Sequence, residues 1–201
     1  MYIVIEGQDG TGKSTQAWLL ASHFEKLGKE VLVMDEPDGD LSEAHELHDV
    51  ILTRGFDFLP MSNVLLFTAA RLELWKKLAE PVLSRGGVVI SARNWWSTLA
   101  YQGYGQGVSR SKIIRITKEL LPDNYVSPDC AAILTVSDKV RVERQKGRGK
   151  KQETFEAKPS EFQQKVNNAY PKIAKEFNIP VVDASGSIED IFAELSKLFQ
   201  L

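Results

Sequence analysis

The first fourteen residues constrain this chain more than any other stretch. A short apolar run, Tyr2-Ile3-Val4-Ile5, leads through Glu6 into Gly7-Gln8-Asp9-Gly10-Thr11-Gly12-Lys13-Ser14. That octet matches G-x-x-x-x-G-K-[ST], with a strand pattern before it and a helical pattern after it. Glycines at these positions let the backbone curl until successive N–H groups face one anionic cavity. The start of the following helix adds its partial positive charge. Such a loop cradles the phosphates of a nucleoside triphosphate. Gly7, Asp9, Gly10, Thr11, Gly12, Lys13, Ser14 and Thr15 are therefore the expected phosphate-loop residues. Lys13 is placed to reach the β- and γ-phosphates, and the Ser14 hydroxyl to ligate Mg²⁺.

The rest of the chain repeats this strand–helix alternation. Apolar runs at Ile3–Ile5, Val31–Val33, Val88–Ile90, Ala132–Leu134 and Pro180–Val182 read as five strands buried on both faces. Periodic segments at Ser14–Leu27, Ser62–Ser84, Ser109–Leu121, Ser160–Phe177 and Ser187–Phe199 read as helices, each opening near a serine suited to N-capping. The pattern predicts an α/β P-loop NTPase fold, a five-stranded parallel sheet flanked by helices, with ligands beyond the C-terminal strand ends. With 201 residues, 43% of them hydrophobic, one domain over 1–201 is expected. Lys146 to Lys151 form a basic run that reads as a surface loop within it.

Composition excludes several partners. A net charge of −2 provides no basic field for nucleic acid or an anionic membrane. The N-terminal run is too short for a secretory h-region, and no stretch reaches the ~20 apolar residues of a membrane span. The lone Cys130 fits a reducing compartment, so a cytoplasmic location is expected. The length leaves no room for the extra domains of large motor ATPases, and the Asn-Lys-x-Asp string of guanine readers does not occur. A small kinase remains.

Three further strings bear on the acceptor. The loop continues to Gln16; Leu65-Leu66-Phe67-Thr68-Ala69-Ala70-Arg71 lies on a helical pattern; Ala92-Arg93-Asn94-Trp95-Trp96-Ser97-Thr98-Leu99-Ala100-Tyr101-Gln102-Gly103 follows the third strand. With these the chain resembles the thymidylate kinases, and Val181-Val182-Asp183-Ala184-Ser185 resembles their closing strand. The resemblance implies ATP-dependent, Mg²⁺-assisted phosphorylation of dTMP to dTDP by a homodimer. It implies that Phe67 stacks on thymine, that Arg71 bonds a base carbonyl, and that Arg93 clamps the acceptor phosphate. It further implies that Asp9 accepts a bond from the sugar 3′-hydroxyl and that Tyr101 disfavours a 2′-hydroxyl, with Ser97 and Gln102 lining the same pocket. Trp95 and Trp96 read as packing residues.

Phosphoryl transfer requires a cation near the γ-phosphate. Some thymidylate kinases carry an arginine at the position of Gly10; this chain resembles the type whose lid, here about 144–156, supplies the charge. Arg148 and Arg144 are the leading candidates, with Arg141 and Lys150 beside them. The sequence also departs from the family. The strand-end Asp is Ala92, the Arg of Arg-Glu-Pro is Asp35, and an acceptor-phosphate Arg aligns with His48. Asp35 or Glu36 is the expected substitute for the lost carboxylate, which adds Glu36 to the catalytic candidates Lys13, Arg93, Arg148 and Arg144. Two other readings arise from the same departures: a kinase for another deoxynucleoside monophosphate, and a catalytically weak nucleotide-binding homologue.

Overall fold

The computed structural model describes residues 1–39, 41–146, 154–155 and 157–201. Five parallel strands form one sheet: β1 (Tyr2–Gly7), β2 (Val31–Asp35), β3 (Val88–Ala92), β4 (Cys130–Thr135) and β5 (Val181–Asp183), in the order β2-β3-β1-β4-β5. The expected five-stranded parallel sheet flanked by helices is therefore present. Helices α1 (Lys13–Lys26), α2 (Ser42–Leu52), α3 (Pro60–Leu74), α4 (Glu80–Ser84), α5 (Trp95–Thr98), α6 (Arg110–Leu120), α7 (Asp123–Val126), α8 (Asp138–Lys146), α9 (Ser160–Asn167), α10 (Tyr170–Phe177) and α11 (Ile188–Phe199) connect and cover the strands.

Side-chain alternation along β1 divides the core. Ile3 and Ile5 join Ala17, Leu20 and Phe24 of α1 and Ile191 and Leu195 of α11 on one face. Tyr2 and Val4 join Trp75, Tyr125, Ile133 and Tyr170 on the other. Burial on both faces holds for β1 and β3, but not at the sheet edges. In β2, Val31, Leu32 and Val33 are only half-buried, and Val181 of β5 is 47% exposed. An edge strand has a neighbour on one side only, and the helices do not reach around it.

Two expected helices are interrupted, each by a proline. The 62–84 segment runs as α3, a π-helical stretch at Trp75–Ala79 and then α4, with Pro81 in its first turn. Widening the helix just before Pro81 accommodates its ring and its missing N–H. The 160–177 segment splits into α9 and α10, with Pro171 at the start of α10. Serine capping is rarer than expected. Ser187 caps α11, its Oγ accepting from Asp190 N at 3.1 Å, whereas Ser14 and Ser62 lie inside their helices and Ser160 opens α9 behind Pro159. The expected segments contain no counterpart of α5, α7 and α8. Among the described residues no helix is long and apolar enough to cross a membrane.

Candidate active site

The phosphate loop turns between β1 and α1 because glycine occupies its tight points. Gly7 has φ 140°, and a Cβ there would lie 2.4 Å from Leu134 O, so close approach to β4 excludes any side chain. Gly12 at φ 97° stands in the left-handed region just ahead of α1. Inside the loop, Gln8 O accepts from Thr11 N at 3.3 Å, Thr11 Oγ1 at 2.8 Å and Lys13 Nζ at 3.1 Å. Lys13 is only 5% exposed. Burial, with the nearby Arg93 charge adding to it, lowers its pKa to about 8 despite Asp9 at 3.9 Å. Thr15, next in the chain, is exposed.

Asp9 joins the loop to the residues that follow β3. Its Oδ1 is the partner of the Arg93 guanidinium, and its Oδ2 accepts from Tyr101 Oη at 2.9 Å. Arg93 Cζ also lies 5.8 Å from the Tyr101 ring centroid. Burial works against the Arg93 charge, but Asp9, Tyr101, Tyr170 and Glu6 together outweigh it and the guanidinium is held firmly protonated. Burial, then the Asp9 charge, push the Tyr101 hydroxyl well up, so it stays a donor. Arg93 has φ 91°, in the left-handed region that a side chain avoids, with its N–H bonded to Ile5 O at 3.0 Å. Tyr101 lies on a second π-helical stretch, Leu99–Gly105, a geometry often found at functional sites.

Behind this rim stands a wall of fully engaged polar groups. Glu6 is buried where β1 meets the loop, accepting from Gly7 N, Asn94 N, Ser97 N and Ser97 Oγ at 2.7–3.1 Å. It was not singled out in the sequence, although a carboxylate ending an apolar strand just before a phosphate loop was a visible signal. Glu36 is 2% exposed and accepts from Arg71 Nε at 3.0 Å, Tyr125 Oη at 2.6 Å and Ser91 Oγ at 3.0 Å. Desolvation raises its pKa, opposed by Arg71, Tyr125 and Ser91. Glu36 thus lies in the interior, held by three partners. Arg71, which the resemblance assigns to a base carbonyl, is 3% exposed; it also donates to Thr98 Oγ1 at 2.9 Å and Asn94 O at 3.0 Å.

Phe67 lies one turn before Arg71 on α3, its ring 5.6 Å from the guanidinium carbon and 6.0 Å from the Phe155 ring. Phe155, also unanticipated, lies 5.9 Å from the Tyr101 ring, closing an aromatic group around this side of the site. Ser97 and Gln102 are buried; Gln102 Nε2 donates to Gln106 Oε1 at 3.3 Å. Trp95 and Trp96 are core residues, as expected. Arg144 lies on α8, whereas Arg148 and Lys150 are outside the described residues, as is most of the expected lid. Arg141 is 8% exposed on the same helix.

Ser14 Oγ donates to Asp35 Oδ2 at 3.0 Å. Hydroxyl and carboxylate oxygens are the hard donors Mg²⁺ prefers, so this pair fits a Mg²⁺ position at the head of α1. Asp35 ends β2 in direct register with Ala92 of β3.

The family model for thymidylate kinase matches residues 5–195. The chain belongs to the thymidylate kinase family. A probable thymidylate kinase from Thermococcus gammatolerans is 38% identical over 208 aligned residues, covering 100% of this chain and 96% of the relative. The thymidylate kinase of Thermosipho africanus is 31% identical, covering 100% and 98%. The crystal structure of the Ehrlichia chaffeensis thymidylate kinase superposes with a TM-score of 0.79 at 28% identity, covering 100% of this chain and 98% of that one. The phosphate loop follows β1 and the Arg93 segment follows β3, its neighbour in the sheet, and family membership makes this chain a nucleoside monophosphate kinase.

Proposed function

We propose that this chain transfers the γ-phosphoryl group of ATP to dTMP, giving dTDP. The observation that carries this reading is the bonding of Asp9, a phosphate-loop residue, by both Arg93 and Tyr101. Donor loop and acceptor residues are thereby one electrostatic unit. Phosphoryl transfer rests on positioning and charge stabilisation, and the residues divide those tasks. Lys13 and the loop N–H groups hold the donor phosphates, and Arg93 turns to the acceptor phosphate. Asp9 takes the sugar 3′-hydroxyl, Tyr101 with Ser97 and Gln102 shapes the sugar side, and Phe67 with Arg71 forms the wall against the base. Arg148 or Arg144 supplies the lid cation. Bound Mg²⁺, held through Ser14, supplies neutralisation of phosphate charge. The enzyme acts as a single-domain, cytoplasmic homodimer.

A coupled ADP-release assay across dTMP, dUMP, dCMP, dGMP and dAMP tests the acceptor. dTMP is expected to give the highest kcat/KM. A better substrate among the others establishes the altered-acceptor reading, and ATP binding without turnover on any of them establishes the weak homologue that Ala92 suggests.

Asp35 stands in for the carboxylate absent at Ala92. The two positions are lateral neighbours on adjacent strands, about 4.8 Å apart, and Asp35 already engages the Ser14 hydroxyl. Asp35→Ala is expected to cut turnover about 10- to 100-fold, the worth of one charge-assisted bond. Ala92→Asp in that background is expected to restore part of it. An Asp35→Ala enzyme with full turnover removes Asp35 from this role.

A further inference from the structure

Away from the phosphate loop, three metal-ligating side chains converge where β2 passes into α2. Asp38 lies in the connection, and His45 and His48 are one turn apart on α2, so both project from the same face of the helix. One ligand atom from each of the three lies within 4.8 Å of the other two. Asp38 Oδ1 and His45 Nδ1 are 3.1 Å apart, and the two imidazole rings are nearly parallel, 11° between planes, with centroids 6.2 Å apart. Gly39 N donates to Asp38 Oδ1 at 2.8 Å, and Asp38 N to Asp35 O at 3.0 Å, which fixes the carboxylate in the turn after β2.

We propose that Asp38, His45 and His48 form a binding site for a divalent transition-metal ion of the zinc, cobalt and nickel class. A lone Asp–His pair is a surface hydrogen bond; a third donor from the next helical turn makes a chelate. Ligand atoms around a tetrahedral ion at ~2.0–2.1 Å stand about 3.4 Å apart, so small side-chain rotations bring the three atoms into position. Two imidazoles and one carboxylate leave a coordination position for water or an anionic oxygen. The same donor set selects against Mg²⁺, which favours oxygen ligands and retains its water. The site is therefore chemically separate from the Ser14–Asp35 pair. Held there, an ion ties the connection after β2 to the middle of α2.

The test is titration of chelator-treated protein with Co²⁺ in excess Mg²⁺, following the d–d absorption of nitrogen-ligated cobalt. One equivalent is expected to bind, and His45→Ala, His48→Ala and Asp38→Asn are each expected to weaken binding at least about tenfold. The His45 side chain is 57% exposed, so His45→Ala keeps the fold, and a metal-free thermal melt matching the parent protein verifies this. The proposal is overturned if no band develops, if His45→Ala binds as tightly as the parent, or if Mg²⁺ displaces the cobalt. A thiolate charge-transfer band, which would locate the ion at Cys130, overturns it as well.

Discussion

Asp35 and Glu36 are adjacent in the chain and belong to opposite regions of the site. Asp35 is exposed at the rim and holds the Ser14 hydroxyl; Glu36 is enclosed and holds Arg71, Tyr125 and Ser91. The same contrast separates Asp9 from Glu6. The rim carboxylates are bonded to Ser14, Arg93 and Tyr101, the side chains proposed above to meet the nucleotides. The wall carboxylates are enclosed and accept from Ser97 and Arg71, the side chains proposed above to line the sugar and base sides of the pocket. Four acidic side chains at or just beyond the ends of β1 and β2 therefore divide by setting, two at the open rim and two in the enclosed wall.

The contrast is broken most severely at the wall. Glu36→Gln leaves Arg71 buried without its counter-charge, and a loss of about 3–5 kcal/mol in urea unfolding is expected. Asp9→Asn at the rim is expected to cost no more than about 1 kcal/mol by the same measurement, because its pair with Arg93 is partly open to water. Equal losses would erase the distinction. Lys13→Ala is expected to lower kcat by about 10²–10³-fold with little change in the unfolding midpoint.

Proton titration sharpens the comparison on a smaller scale. With the Lys13 pKa lowered to about 8, the free loop loses its charge above that pH. The kcat/KM for ATP should then fall about tenfold per pH unit above 8, and Lys13→Arg should abolish that limb. The stability sign is opposite. Between about 8 and the ordinary lysine value of 10.5 the unfolded chain binds more protons than the folded one, so this group makes stability rise with pH.

Legibility followed the range of the interactions. The phosphate loop was readable because its chemistry is local: glycines, a lysine and a hydroxyl at fixed spacing. The strands were readable because burial on two faces leaves continuous apolar runs, and the reading weakened at β2 and β5, where edges need less burial. Pro81 and Pro171 were in plain view, but whether a proline ends or merely widens a helix is settled by what packs around it. The surroundings of Glu36 are illegible in the sequence for a deeper reason. Its partners Arg71, Ser91 and Tyr125 are 35 to 89 residues away, and no periodicity records that they meet. Phe155, brought beside Phe67 and Tyr101, was hidden for the same reason.

The backbone of Arg93 bears on how this protein can change over generations. A non-glycine residue at φ 91° carries about 1–3 kcal/mol of strain, which Arg93→Gly would relieve at the cost of the guanidinium. Selection for heat resistance alone, with no demand for turnover, would therefore be drawn to this codon. A population kept under such selection should accumulate Arg93→Gly early, and a return to growth that depends on the kinase should purge it.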